Sequence, residues 1–369
     1  MPEEPVKSVY ELSSTSTAES FENAVTHPLE VAQRRSVLNS DTLERLLREH
    51  SAFVHRELKF YRKVRAPNSE LVEYRVSGGP YSTVVLKHIL GARSDAAAEQ
   101  AITREFTALT SIQTSCHQPF LETVPSPIIL LAGVHAMLIT KLPGSPLKSV
   151  LRLNANAICG PLRCRHAGEI GQSVGFWLRS FHLETRKPSV LHNHQLFMDE
   201  FVKWLQRCEP NGFNGVLLEQ LLRSTTNASK RAVGRSIPAA AGHGDFIPDN
   251  ILLDKNRIYV VDFQNFSECD VIYKDIASFS TYLMTMAARS VYHQGTLQNI
   301  LHNFLRAYGV KIHHDLLALY GALSFVKLAA QSRFRVLAFP RGHKLLENLI
   351  AQHSHKLSLI PDHEAHECP

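Results

Sequence analysis

The spacing of apolar residues changes twice along the chain. Residues 1 to about 30 are rich in Ser, Thr and Glu and carry almost no periodic apolar pattern, which predicts a disordered or loosely docked arm. Folding is expected to begin near Val37. Ser40 is a suitable N-cap for a short amphipathic helix through Thr42, Leu43, Leu46 and Leu47. The period then becomes that of strands: Phe53 to Phe60, Leu71 to Val76 and Ser82 to Ile89 alternate β-branched or aromatic residues with polar ones between breakers. Ser77-Gly78-Gly79-Pro80 is the turn of a hairpin between the second and third of these, giving a three-stranded antiparallel meander.

Ser94 to Ile112 has helical spacing, with Ala97, Ala101, Ile102, Phe106 and Leu109 on one side. Two more strand-like runs, Ile128 to Leu131 and Ala136 to Thr140, lead into Leu142-Pro143-Gly144-Ser145-Pro146, a breaker cluster suited to a connection between lobes. Beyond it the helical period dominates. Gly171 to His182, Phe201 to Cys208, Leu217 to Leu222, Ile276 to Ala288, Leu297 to Tyr308, Leu316 to Ala330 and Lys344 to His353 all place apolar residues three or four apart. The exception is residues 243–266, where two apolar β-rich runs flank a polar turn as in a hairpin. No repeat with a period of 20 to 50 residues is present, which argues against a solenoid or propeller. The expectation is an α+β chain with an N-terminal lobe at 31–142, a mainly helical lobe at 143–355 and a flexible tail at 356–369.

Composition narrows the function classes. The 369 residues are 44% hydrophobic and 20% charged, ordinary globular usage with room for a large core. A net charge of +6 is mildly basic, but no run of five or more Lys and Arg interleaved with aromatics occurs, so nucleic acid is not an expected partner. The six cysteines, at 116, 159, 164, 208, 269 and 368, are scattered without a CxxC pair, which reads as reduced thiols in a cytoplasmic protein. The opening residues carry early acids and no apolar core, unlike a secretory signal, and the longest apolar stretch, Ile128 to Thr140, is too short to span a bilayer. A glycan on the Asn265-Phe266-Ser267 triplet would obstruct the cleft argued below, in keeping with that location.

The chemistry concentrates in Gly242-His243-Gly244-Asp245-Phe246-Ile247-Pro248-Asp249-Asn250, followed by Ile258 to Val261 and Asp262-Phe263-Gln264. Asp245, Asn250 and Asp262 would bring oxygen-bearing side chains to one cleft. Mg²⁺ takes hard oxygen ligands, using one or two carboxylates together with substrate phosphates, and Asn250 with Asp262 suits that demand. Asp245 to Asn250 would also suit a hydrogen-bonded turn, and Lys87, alone, would be an exposed strand residue.

Here the sequence resembles the aminoglycoside phosphotransferase and choline kinase superfamily, the small-molecule branch of the protein-kinase-like fold. The residues that carry the likeness are His243-Gly244-Asp245, Asn250, Asp262, Lys87, Glu105 and Leu142-Pro143-Gly144, in the expected order over about residues 50 to 340. The resemblance implies a two-lobed kinase-like fold and transfer of a phosphoryl group from ATP or GTP, with Mg²⁺, to a small-molecule hydroxyl. It makes Asp245 the residue that accepts or orients the hydroxyl proton, and Asn250 and Asp262 the metal ligands. Lys87 would pair with the α- and β-phosphates, and Glu105, in Arg104-Glu105-Phe106, would fix it. The backbone of Ile139, Thr140, Lys141 and Leu142 would meet the base. Asp275 resembles the aspartate that braces the catalytic loop. His243 and His182 read as supporting and packing histidines.

The phosphate-covering segment departs from the pattern, because Val64 to Glu70 contains no glycine for close backbone approach. A pseudokinase or scaffold without turnover is the alternative, disfavoured by the intact Asp245, Asn250 and Asp262. A protein kinase is disfavoured because Asp262 precedes Phe263-Gln264 with no glycine. Zinc and nucleophile chemistry are not expected: His192-His194, His313-His314 and the terminal His363, His366 and Cys368 lack zinc spacing, and Cys269 has no evident base. Phe279, Tyr282, Phe325 and Phe334 read as a core stripe rather than a pocket wall. From 270 to 350, four acids face nine Lys and Arg, which points to a neutral or anionic acceptor over a polycationic aminoglycoside.

Overall fold

The computed structural model describes residues 57–330 apart from 66–68, 79–81, 91, 93, 209–212 and 310–311, together with three isolated helical positions at 347, 351 and 354. The arm at 1–30, the helix from Ser40, most of the helix expected at Lys344 to His353, Phe334 and the tail lie outside the described residues.

The N-terminal part is a five-stranded antiparallel sheet in the order β1-β2-β3-β5-β4. Its strands are β1 (Glu57–Arg65), β2 (Ser69–Ser77), β3 (Thr83–Ile89), β4 (Pro127–Leu131) and β5 (Ala136–Thr140). The first strand, described from Glu57, runs on through Val64 and Arg65, past the Phe60 at which its apolar pattern ended, and Phe53 to Arg56 lie outside the described residues. The predicted Gly78 turn closes β2 onto β3, with Gly78 at φ 71° and Val76 N–H donating to Ser82 O at 3.1 Å. Side chains alternate across a strand. Val72, Tyr74, Val76, Val84, Leu86 and Leu138 form a separate apolar cluster on one face, and Met137 and Ile139 join the main core on the other.

Helix α1 (Asp95–Ser115) covers that second face. Ser94 caps it, its hydroxyl accepting from Ala97 N at 3.2 Å, and Asp95 complements the positive helix end. Its buried positions are Ala98, Ile102, Glu105, Ala108, Leu109 and Ile112, one face of the helix, so one acid falls in an otherwise apolar stripe.

The C-terminal part is mainly helical: α2 (Leu147–Asn154), α3 (Gly160–Glu184), α4 (His194–Leu205), α5 (Gly215–Arg231), α6 (Tyr273–Ala287), α7 (Gln294–Tyr308) and α8 (His314–Ala330). Helix α3 is more than twice the length its apolar spacing indicated, starting on a Gly-Pro pair suited to a first turn. Helix α4 starts seven residues before the Phe201 to Cys208 pattern and ends three residues before that pattern does, with Asn193 capping the start by accepting from Leu196 N at 3.0 Å. Parallel helices α3 and α7 meet closely at Gly171 and Gly175, where a Cβ would stand 2.2 Å from Ile300 O and 2.4 Å from Phe304 O.

Two small sheets hold the central loop. The predicted hairpin is β9 (Ile251–Asp254) with β10 (Arg257–Val260), to which β6 (Ser145–Pro146) adds an edge. The other sheet, in the order β11-β8-β7, is built of β7 (Arg186–Leu191), β8 (Ser236–Gly242) and β11 (Ser267–Val271). Phe279 and Phe325 are fully buried, as a core stripe requires. His192 is buried, with Nε2 2.8 Å from the Ser229 hydroxyl that also meets His194 Nδ1 at 3.0 Å. Among the described residues no helix is long and apolar enough to cross a membrane, and Cys116, Cys159, Cys208 and Cys269 are free thiols.

Candidate active site

Strand β3 carries Lys87 on the face covered by α1. Its ammonium lies 2.6 Å from Glu105 Oε2 and 2.7 Å from Asp262 Oδ1, with Lys87 7% and Glu105 2% exposed. Burial acts to lower the lysine pKa, but Glu105 and Asp262 outweigh it and hold the ammonium above its ordinary value. A stripe position on α1 thus supplies the counter-charge to a strand lysine, and Asp262 brings the same lysine to the central loop.

That loop leaves β8 at Gly242. His243 is fully buried, and both ring nitrogens are engaged: Nδ1 accepts from Asp245 N at 3.3 Å, which leaves Nε2–H to donate to Val261 O at 3.1 Å. That neutral tautomer has no nitrogen left for proton transfer, in keeping with a supporting role. Asp275, in the first turn of α6, accepts from His243 N at 2.7 Å and Gly244 N at 3.0 Å and lies 3.4 Å from His182 Nε2. Burial alone would raise this carboxyl, but His182, His243 and the backbone donors hold it below the usual carboxylate range. Tyr308 completes the brace through its hydroxyl, 2.7 Å from His182 Nδ1.

Gly244 sits at φ 77°, and a Cβ there would meet Asn265 O at 2.1 Å, so the loop and the segment after Asp262 approach backbone to backbone. Asp245 follows, 5% exposed. Asn250 donates from Nδ2 to Asp245 O at 2.9 Å and Asp245 Oδ2 at 3.1 Å, and its carbonyl accepts from Val261 N at 3.0 Å. Asp262, the next residue, has a left-handed backbone at φ 68°, ψ 63°, a conformation aspartate tolerates better than most residues and one that clusters at functional sites. Glu105, Lys87, Asp262, Val261, Asn250 and Asp245 therefore form one continuous network across the two lobes.

Three residues that sequence reasoning passed over also belong here. Asp249 accepts from Tyr282 Oη and from Lys148 Nζ, each at 2.7 Å, and Lys327 Nζ donates to Gly244 O at 2.8 Å. Asp249 sits inside the motif and was legible as an acid beside Asn250. Lys148 and Lys327 are distant in sequence and carried no local signal.

The donor set suits a hard divalent cation. No group of three or more His, Cys, Asp or Glu able to hold a metal occurs among the described residues. Oxygens of Asp262, Asn250 and Asp245 could serve such an ion together with substrate phosphates. A Lys–Glu pair, an acid–amide motif and a carboxylate brought together by these contacts match the parts of a phosphoryl-transfer site.

Comparison with known proteins agrees with this geometry. The sequence model of the phosphotransferase enzyme family matches residues 63–320. The chain belongs to that family. It is a small-molecule phosphotransferase with the bilobal protein-kinase-like fold. Similar solved structures include the ADP-bound aminoglycoside phosphotransferase APH(2'')-Ib, at 12% identity and TM-score 0.53, covering 87% of this chain and 99% of that one. A putative aminoglycoside phosphotransferase from Ralstonia eutropha aligns at 12% identity and TM-score 0.57 over 87% of this chain and 98% of its own. The choline kinase LicA from Streptococcus pneumoniae aligns at 11% identity and TM-score 0.52, over 85% and 99% of the two chains. No curated protein matches the phosphotransferase by sequence.

Proposed function

We propose that this phosphotransferase moves the γ-phosphoryl group of ATP or GTP to the hydroxyl of a neutral or anionic small molecule, with Asp245 as the catalytic residue. The observation that carries this reading is the pair of contacts from Glu105 through Lys87 to Asp262, continued from the adjoining Val261 through Asn250 to Asp245, which relates the nucleotide-side lysine to the proton-accepting acid. In the transfer, Asp245 takes the hydroxyl proton as the acceptor oxygen bonds to the γ-phosphorus. The bond to the bridging oxygen breaks, and ADP or GDP leaves. No covalent intermediate is required, because alignment and charge neutralisation account for the step.

Lys87, held by Glu105, pairs with the α- and β-phosphates, and the backbone of Ile139, Thr140, Lys141 and Leu142 borders the base. Thr140 N and Lys141 N already donate to Ser126 O and Thr83 O, at 3.0 and 3.4 Å, so a base would read carbonyls there and the Leu142 N–H. Asn250 and Asp262 hold Mg²⁺, which when bound neutralises phosphate charge. His243 and Asp275 keep the loop in place. The chain passes from its nucleotide lobe to its catalytic lobe at Leu142 and Pro143, and the protein acts in the cytoplasm.

The acceptor preference rests on Asp249. Its carboxylate is engaged by Lys148 and Tyr282, and Lys327 stands behind the loop, so the cleft offers a polycation little unpaired negative charge. ADP and GDP release, measured against panels of neutral, anionic and polycationic hydroxyl compounds with Asp245→Asn as the blank, tests the reading. Turnover with a neutral or anionic acceptor that vanishes in the variant is expected. Turnover confined to aminoglycosides would overturn the acceptor class, and turnover undiminished in Asp245→Asn would overturn the mechanism.

A further inference from the structure

The sheet face that carries Lys87 has an unusual second row. Residues directly opposite one another on neighbouring strands share a face. Val64, Leu71, Lys87 and Met137 form one such row across β1, β2, β3 and β5, and Arg62, Glu73, Val85 and Ile139 form the next, two residues nearer the Thr140 end. Under the nucleotide reading above, on which this inference rests, the second row roofs the slot for the base.

Binding slots for flat rings are lined mostly by apolar side chains. Here the middle of the roof is an acid. Glu73 is 6% exposed, and its carboxylate accepts from Arg62 Nη2 at 2.6 Å on one side and from Lys141 Nζ on the other. Lys141 follows β5, and β3 lies between β5 and β2, so this second pair crosses the lysine-bearing face of β3. Burial alone would push the Glu73 carboxyl up, but hydrogen bonds from Arg62 and Lys141 outweigh it and keep the group below the ordinary carboxylate range.

Strand β1 is also irregular at this point. The register slips between Phe60 and Arg62, leaving Tyr61 as the extra residue of a bulge. Its ring lies 5.7 Å from Lys141 Nζ, 6.0 Å from the Arg62 guanidinium carbon and 4.4 Å from that of Arg75. Folding alone does not call for an acid at the buried Glu73 position, since an apolar residue of similar volume there is often no less stabilising than a buried carboxylate and its partners.

We propose that Tyr61, Arg62, Glu73 and Lys141 form a cationic roof for the purine, with Glu73 as the positioning residue that holds one cation on each side of the slot. A purine presents electron-rich faces to which guanidinium and ammonium groups are attracted. Arg62, whose side chain is 55% exposed, supplies the stacking plane.

Calorimetric titration of wild type, Glu73→Gln and Arg62→Ala with Mg²⁺-ATP, Mg²⁺-GTP and Mg²⁺-tripolyphosphate separates base from phosphate recognition. Each variant is expected to bind the nucleotides about five- to tenfold more weakly, with the KM for nucleotide rising in step, while tripolyphosphate binding changes less than about twofold. Arg62→Ala removes an exposed side chain, so its result does not depend on refolding of a buried site. Nucleotide affinities unchanged in both variants, or weakened equally with tripolyphosphate, would overturn the roof while leaving the nucleotide cleft standing. A folded wild type that binds neither nucleotides nor tripolyphosphate would overturn the roof together with the reading it rests on.

Discussion

Lys87 is buried between two carboxylates, so replacing it has two separable consequences. Removing one partner of a buried ion pair leaves the other uncompensated, and Lys87→Met is expected to lower unfolding free energy by about 3 kcal/mol and to weaken Mg²⁺-ATP binding as well. Chemical denaturation and calorimetry on the same sample read the two effects; a variant of unchanged stability would contradict the buried pair. Asp245→Asn should behave differently. It keeps the shape of the loop and removes the proposed proton acceptor, so turnover is expected to fall by about 10²- to 10⁴-fold while nucleotide affinity stays near wild type. Loss of binding and turnover in parallel would contradict the division of roles. His192 gives a test of burial that is independent of activity. Burial lowers its pKa first, with the neighbouring His194 and Arg235 adding to the effect. As pH falls below about 6.5, the unfolded chain therefore takes up the proton before the folded one. The stability due to this group is full above that pH and is lost as pH falls toward the folded value. Stability measured from about pH 7 to about pH 5.5 should fall less steeply in His192→Gln than in wild type, and equal slopes would contradict the burial argument.

At the scale of elements, the close contact of α3 with α7 depends on two positions without side chains. Gly171→Ala places a methyl against Ile300 O, and the helices must separate, at a cost of about 1 to 3 kcal/mol. Gly133→Ala, where nothing lies within 4 Å, is the control and should be near neutral in denaturant unfolding. Equal effects would contradict the packing. The elements differ in how legible they were. The meander, α1 and the 251–260 hairpin follow from periodicity, although β1 buries only Leu58 and the buried stripe of α1 runs through Ala98, Ile102 and Glu105 rather than Ala97, Ala101 and Phe106. Strands β7, β8 and β11 do not announce themselves. β7 is an exposed, polar edge; β8 reads Ser-Ile-Pro-Ala-Ala-Ala-Gly, with a proline and small residues of weak β-propensity; β11 carries two acids in five residues. Their sheet forms through tertiary pairing and delivers His243 to the loop. The motif residues themselves were readable because they are close in sequence, whereas Lys148, Lys327 and Glu73 reach the cleft only through the fold.

For the whole molecule, the arrangement joins a sheet that presents Lys87 to a mainly helical body that presents Asp245, Asn250 and Asp262. The two halves meet through a lysine and an aspartate, 2.7 Å apart. A cation held by Asp262 and Asn250 would sit where these halves join, so metal and nucleotide binding are expected to be coupled. Calorimetric titration of ATP into wild type and Asp262→Ala, each with Mg²⁺ and with chelator, tests that most directly. Wild type should bind ATP at least tenfold more tightly with Mg²⁺ than without, a difference of about 1.4 kcal/mol, and Asp262→Ala should lose that difference. ATP binding that ignores Mg²⁺ in wild type, or keeps its full Mg²⁺ dependence in Asp262→Ala, would contradict the account.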